Sequence, residues 1–88
     1  MRFALEGLRP NPAAGALTVA LSLPSAAPAK LELLDVSGRR LLERDLRGLG
    51  PGELLVRLDG SAAVRPGLYF LRLSQGARAL VSRGCVVR

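Results

Sequence analysis

Val64-Arg65-Pro66-Gly67-Leu68-Tyr69-Phe70-Leu71-Arg72-Leu73 is the stretch whose reading decides the fold. Pro66-Gly67 breaks the chain, and an alternating run begins at once. Tyr69, Leu71 and Leu73 share one face, while Leu68 and Phe70 share the other with Arg72 and Ser74. Successive side chains of a β-strand point to opposite faces, so this is strand spacing. Apolar residues on both faces at its start predict a central strand rather than an edge. Tyr69, the one tyrosine of the chain, follows the turn directly. That is where β-sandwiches place a tyrosine whose hydroxyl ties a corner back to the main chain.

Working outward, the same period recurs. Leu17, Val19, Leu21 and Leu23 alternate with Ala16, Thr18, Ala20 and Ser22, which predicts a half-buried antiparallel strand. At helical spacing Leu17 and Leu23 would sit about 120° apart. Lys30 to Val36 reads as a strand with Leu31 and Leu33 inward and Lys30 and Glu32 outward. Asp35-Val36-Ser37-Gly38-Arg39 reads as a tight hairpin turn: Asp accepts bonds from nearby amides, and Gly supplies positive φ. Arg40 to Leu46 returns as an edge whose charges, Arg40, Glu43, Arg44 and Asp45, discourage stray pairing.

Leu49-Gly50-Pro51-Gly52 turns again, and Leu54, Val56 and Leu58 alternate with Glu53, Arg57 and Asp59. Asp59-Gly60-Ser61 is a turn and Ala62 to Arg65 a connector. Gln75-Gly76 is a hairpin position, and Ala77 to Arg88 is a last strand broken or bulged at Gly84. Before these, Phe3-Ala4-Leu5 is a short first strand ending at Gly7. Arg9-Pro10-Asn11-Pro12 closes it, since prolines so spaced exclude helix and central strand.

About seven strands, with turns every eight to twelve residues and no helical period, predict an all-β, two-sheet antiparallel sandwich. The 88 residues suit one domain, residues 1–88. With Phe3, Tyr69 and Phe70 the only aromatics, the core must be Leu, Val and Ala. Ten Gly and six Pro are spread as punctuation between strands.

The net charge of +6 comes from 12 Arg and Lys30 against seven acids. The arginines are scattered, which reads as a solvated surface, although Arg78, Arg83 and Arg88 form a candidate basic stripe on the last strand. Non-specific attraction to polyanions at low salt follows from the charge. Specific nucleic-acid binding does not, because a basic groove needs interleaved aromatics. The single Cys85 excludes an internal disulfide and reads as a small buried residue of the last strand. No apolar run reaches the roughly 18 residues of a transmembrane helix. Met1 to Glu6 lacks a signal peptide's apolar region, so if the module is extracellular its export signal is expected elsewhere, on a longer parent chain.

Catalytic constellations are missing. The chain has no His, which removes the common nucleophile–base arrangements and most zinc sites. Asp35 and Asp59 are placed as turn residues, and Asp59 with Ser61 is too sparse for calcium. No helix is expected whose N-terminus could cradle phosphate. The reading is a non-enzymatic module without a cofactor or metal.

The order of features carries a resemblance. An Asn-Pro turn (Asn11-Pro12) precedes a strand, and a later strand runs into Asp-x-x-Gly-Arg (Asp35, Gly38, Arg39). Pro51-Gly52 and Asp59-Gly60 follow, then Pro-Gly-x-Tyr (Pro66, Gly67, Tyr69) with a strand ending Arg72-Leu73, and a basic, valine-rich end. From Leu8 to Arg88 this resembles the C-terminal sorting domain of the type IX (Por) secretion system, and is similar to the immunoglobulin-like domain of the flagellar hook-capping protein. The resemblance implies an immunoglobulin-like antiparallel sandwich. It also implies a non-catalytic module at the end of a larger secreted bacterial protein. Outer-membrane secretion and attachment machinery would recognise the module, and its location would be extracellular or at the cell surface. The family's basic end falls on Arg83, Val86, Val87 and Arg88, with Arg78 beside it as a further candidate recognition residue. Its last strand is commonly Lys-rich, whereas every base there is Arg in this chain, and Cys85 has no counterpart in it. The alternative is a structural or protein-interaction spacer of an extracellular protein, pairing through an exposed edge such as Arg40 to Leu46.

Overall fold

The computed structural model describes residues 2–60 and 64–87. They form seven antiparallel strands in two sheets: β1 (Ala4–Leu8), β2 (Leu17–Leu23), β3 (Ala29–Leu34), β4 (Arg40–Asp45), β5 (Gly52–Leu58), β6 (Gly67–Gln75) and β7 (Arg78–Val86). The sheet orders are β1-β2-β5 and β4-β3-β6-β7. This is an immunoglobulin-like sandwich in which the fourth strand pairs with the third, as part of the four-stranded sheet.

The alternation of each strand decides its inner face. Leu17, Val19, Leu21 and Leu23 of β2 pack against Leu31 and Leu33 of β3 and Tyr69, Leu71 and Leu73 of β6, all within one buried cluster. Each such side chain contributes about 1.5–3 kcal/mol on leaving water. The run that begins at Pro66-Gly67 is central, with β3 on one side and β7 on the other.

Several expectations shift. The outward side is open at Ala16, just before β2, and partly at Thr18, as expected, but closed at Ala20 and Ser22. Ala20 and Ser22 are buried because they are small and β2 is flanked by β1 and β5 on both sides. Glu32 points outward as expected, yet only 4 % of it is exposed. Its Oε1 accepts from Arg72 Nε at 2.9 Å, and Arg40 Nη1 lies 3.5 Å from Oε2. The β6–β7 hairpin turns on Gly76-Ala77, one residue later than read, because Gln75 pairs with Arg78. The expected break or bulge at Gly84 is absent, and β7 pairs with β6 without interruption from Arg78 to Val86. Gly84 is there for close approach: a Cβ built on it would lie 2.6 Å from Leu8 Cδ1. Register irregularities sit instead in β1, between Leu5 and Gly7, and in the β3–β4 pair, where Leu41 of β4 is skipped. Cys85 is exposed, not buried, since its position in β7 faces out of the sandwich. The turn at Asp59 and Gly60 is present; Ser61 and the start of the connector, Ala62 and Ala63, lie outside the described residues.

Candidate functional site

Two motif segments meet at one end of the sandwich. In the β3–β4 turn, Asp35 Oδ1 accepts from the Ser37 amide at 2.9 Å, the Ser37 hydroxyl at 2.6 Å and the Arg39 amide at 3.0 Å. These bonds, the Ser37 hydroxyl foremost and the Arg39 amide next, hold the Asp35 carboxyl below its ordinary value. Gly38 takes φ +89°, a conformation L side chains rarely adopt. Arg39 Nε rests 3.5 Å from Asp35 Oδ2 on an exposed side chain. The motif residues Asp35, Gly38 and Arg39 therefore build the turn.

Across from it, Tyr69 donates its hydroxyl to the Arg65 carbonyl at 2.6 Å, four residues upstream. This is the tyrosine corner expected of a strand in this position. Asp35, Arg39, Tyr69 and Arg65 line one cleft of about 540 Å³ with Leu41, Leu42, Gly60 and Val64. Pro66 and Gly67, between Arg65 and Tyr69 in the chain, are exposed.

The candidate recognition strand divides between two faces. In an unbroken strand Arg78 and Arg83, five residues apart, point oppositely, so they do not form a stripe. The Arg78 guanidinium lies over the Phe3 ring, 4.6 Å from its centroid. Val86 is core, while Arg83 and Val87 are exposed. Arg88 lies outside the described residues.

Three features had no periodic signature. The first is the cap on β7's outer edge: Ala13 N–H donates to Cys85 O at 2.9 Å and Val87 N–H to Ala13 O at 2.8 Å. Asn11 Oδ1 accepts from the Cys85 amide at 3.1 Å. The second is Gln75, whose Nε2 donates to the Ala27 carbonyl at 2.9 Å and pins the loop between β2 and β3. The third is Arg44, whose Nη1 donates to the Arg57 carbonyl at 2.7 Å and clamps edge strand β4 to β5 across the two sheets. Paired prolines, an amide side chain and charge spacing were the only available hints. Among the described residues no group of three or more His, Cys, Asp or Glu side chains could hold a metal ion. No helix among them is long and apolar enough to cross a membrane.

A two-sheet sandwich with a tyrosine corner and a capped last strand places the chain in the class of immunoglobulin-like β-modules. Residues 8–87 match the family described as "Secretion system C-terminal sorting domain". The chain belongs to that family, the sorting domains of type IX secretion, whose members are carried by larger secreted proteins. A comparison with curated proteins found no match.

Proposed function

We propose that residues 1–88 act as one non-catalytic module that sends a parent protein, N-terminal to it, through the outer-membrane secretion machinery and attaches it at the cell surface. The observation that carries this reading is the family match, which runs through every motif from Asn11 to Val87. The fold supports a division of labour. Asp35, Gly38, Gly67 and Tyr69 hold the turn and corner, and the exposed side chains of Arg83 on β7 and Val87 just after it are presented to the machinery.

The test is a secreted reporter fused ahead of the chain in a host with type IX machinery. Deleting residues 80–88 is the wrong probe, because it removes core Val86 and strips β6 of one of its two neighbouring strands. The informative variant is Arg83→Ser with Val87→Ser, which leaves the core intact. Export or surface display should fall while the melting curve of the module is unchanged. Full export and attachment by this variant would refute β7 as the recognised surface.

A further inference from the structure

We propose that the outer edge of β7 from Ala79 to Arg83 accepts an extended acidic strand of a partner protein, which continues the β4-β3-β6-β7 sheet. The proposal deepens the sorting reading and rests on its choice of β7.

The direction of the main-chain groups follows from the cap. Both the N–H and the C=O of Cys85 point away from β6, to Asn11 and Ala13, and so does the N–H of Val87. In an antiparallel ladder these groups alternate sides residue by residue. Register is unbroken along β7, so the N–H and C=O of Arg83, Val81 and Ala79 also face outward. The Ala13 bridge covers only the far end of the edge. Among the described residues, no hydrogen bond to this outer side is made along 79–83.

This edge is less protected than the opposite one: its one charge within 79–83 is Arg83. The opposite edge, β4, carries Arg40, Glu43, Arg44 and Asp45 and is clamped by Arg44. The Ala79-Leu80-Val81-Ser82-Arg83 segment has no proline, no bulge and no acid, and Val81 is 62 % exposed. Beside Val81, Leu34, Val36 and Phe70 border a shallow hollow on the sheet's outer face.

Charge selects the occupant. Residues 1–59 hold eight bases and seven acids, whereas residues 60–88 hold five arginines and no acid. The β6–β7 hairpin itself holds three arginines and no acid; Arg72 is engaged by Glu32, and Arg78 and Arg83 flank the open stretch from opposite faces. A second copy would bring the same charges to the same place. An extended segment with carboxylates near the ends and a β-branched residue over Val81 complements it. Main-chain bonds supply affinity, and the alternate side chains supply choice.

The probe is a blocked heptapeptide alternating glutamate and valine, titrated into the 88-residue chain at about 150 mM salt. A lysine-for-glutamate peptide is the charge control. Two further glutamate peptides are N-methylated, one at the valine amides and one at the glutamate amides. The expected result is binding of the glutamate peptide only, with slowed hydrogen exchange at the Ala79, Val81 and Arg83 amides. Just one of the two N-methylated peptides should lose binding, because only one set of amides faces the domain. Val81→Pro removes an outward N–H and spares the ladder to β6, so it should weaken binding by about tenfold. Should Val81→Pro fail to fold, the N-methylated pair decides alone. No binding, equal binding of both N-methylated peptides, equal binding of the lysine peptide, or an edge already occupied in a dimer of this chain would each overturn the proposal. The titration needs no secretion machinery. Export lost with peptide binding intact counts against the sorting reading alone, and binding absent with export intact counts against strand addition alone.

Discussion

Replacing Gly84 by alanine would place a methyl group 2.6 Å from Leu8 Cδ1 and 3.1 Å from Leu8 Cγ. Both distances are inside van der Waals contact, and Leu8 is buried in the cluster, so its side chain has nowhere to swing. Overpacking of this kind costs about 1–3 kcal/mol. Against it stands the gain from a less flexible unfolded chain, about 0.4–1 kcal/mol, because the φ of Gly84 is not positive and alanine fits the backbone. The net expectation is a loss of about 1–2 kcal/mol, seen as a melting temperature lower by about 5–15 °C. Urea denaturation is the assay: the midpoint should fall while the slope stays the same. Leu8→Ala alone should cost about 2–5 kcal/mol through its cavity. Combined with Gly84→Ala the costs should be less than additive, by at least about 0.5 kcal/mol, since each change relieves the other. A neutral or stabilising Gly84→Ala, or strict additivity, would falsify close packing as the reason for this glycine.

Three further outcomes are expected. Tyr69→Phe removes only the donor to the Arg65 carbonyl and should cost about 1 kcal/mol, Tyr69→Ala about 3–5 kcal/mol, and Leu68→Ala, at a 39 % exposed position, less than about 1 kcal/mol. Equal losses at positions 68 and 69 in denaturant melts would contradict the facing of β6. Glu32→Ala should cost about 1–2 kcal/mol, discounted because Arg72 and Arg40 keep half their surface in water, and clearly more than Glu43→Ala; equal costs would show that the buried carboxylate contributes nothing. Asp35 has a folded value depressed below its unfolded one, so it contributes stability that is present above the unfolded value and lost as pH falls through the folded value. Melting temperatures followed downward from pH 5 should therefore drop less steeply in Asp35→Asn than in the parent chain, and identical slopes would sink the assignment.

Strand positions were legible because a strand's burial pattern is local. Leu17 to Leu23 and Tyr69 to Leu73 state their inner face by spacing alone, and the Asp35 to Arg39 turn by the chemistry of one carboxylate and one glycine. The motif residues could be found for the same reason: each lies within a few residues of the group it serves, as Tyr69 lies four from Arg65. Their role as a corner and a turn also followed from local chemistry.

What distant segments do to one another was not legible. Glu32 read as an ordinary outward acid; its burial depends on Arg72, forty residues later, lying across it. Gly84 read as a break or bulge, and only the packing of Leu8 reveals it as a contact. Arg78 and Arg83 read as one stripe until an unbroken register put them on opposite faces. An all-β chain, its turns, its corner tyrosine and its family follow from local residue pattern alone. The tertiary structure decided which edge is clamped, which is capped by Ala13, and which stretch of β7 is left open, because unpaired main-chain groups carry no side-chain signature and are defined only by what the rest of the fold leaves uncovered.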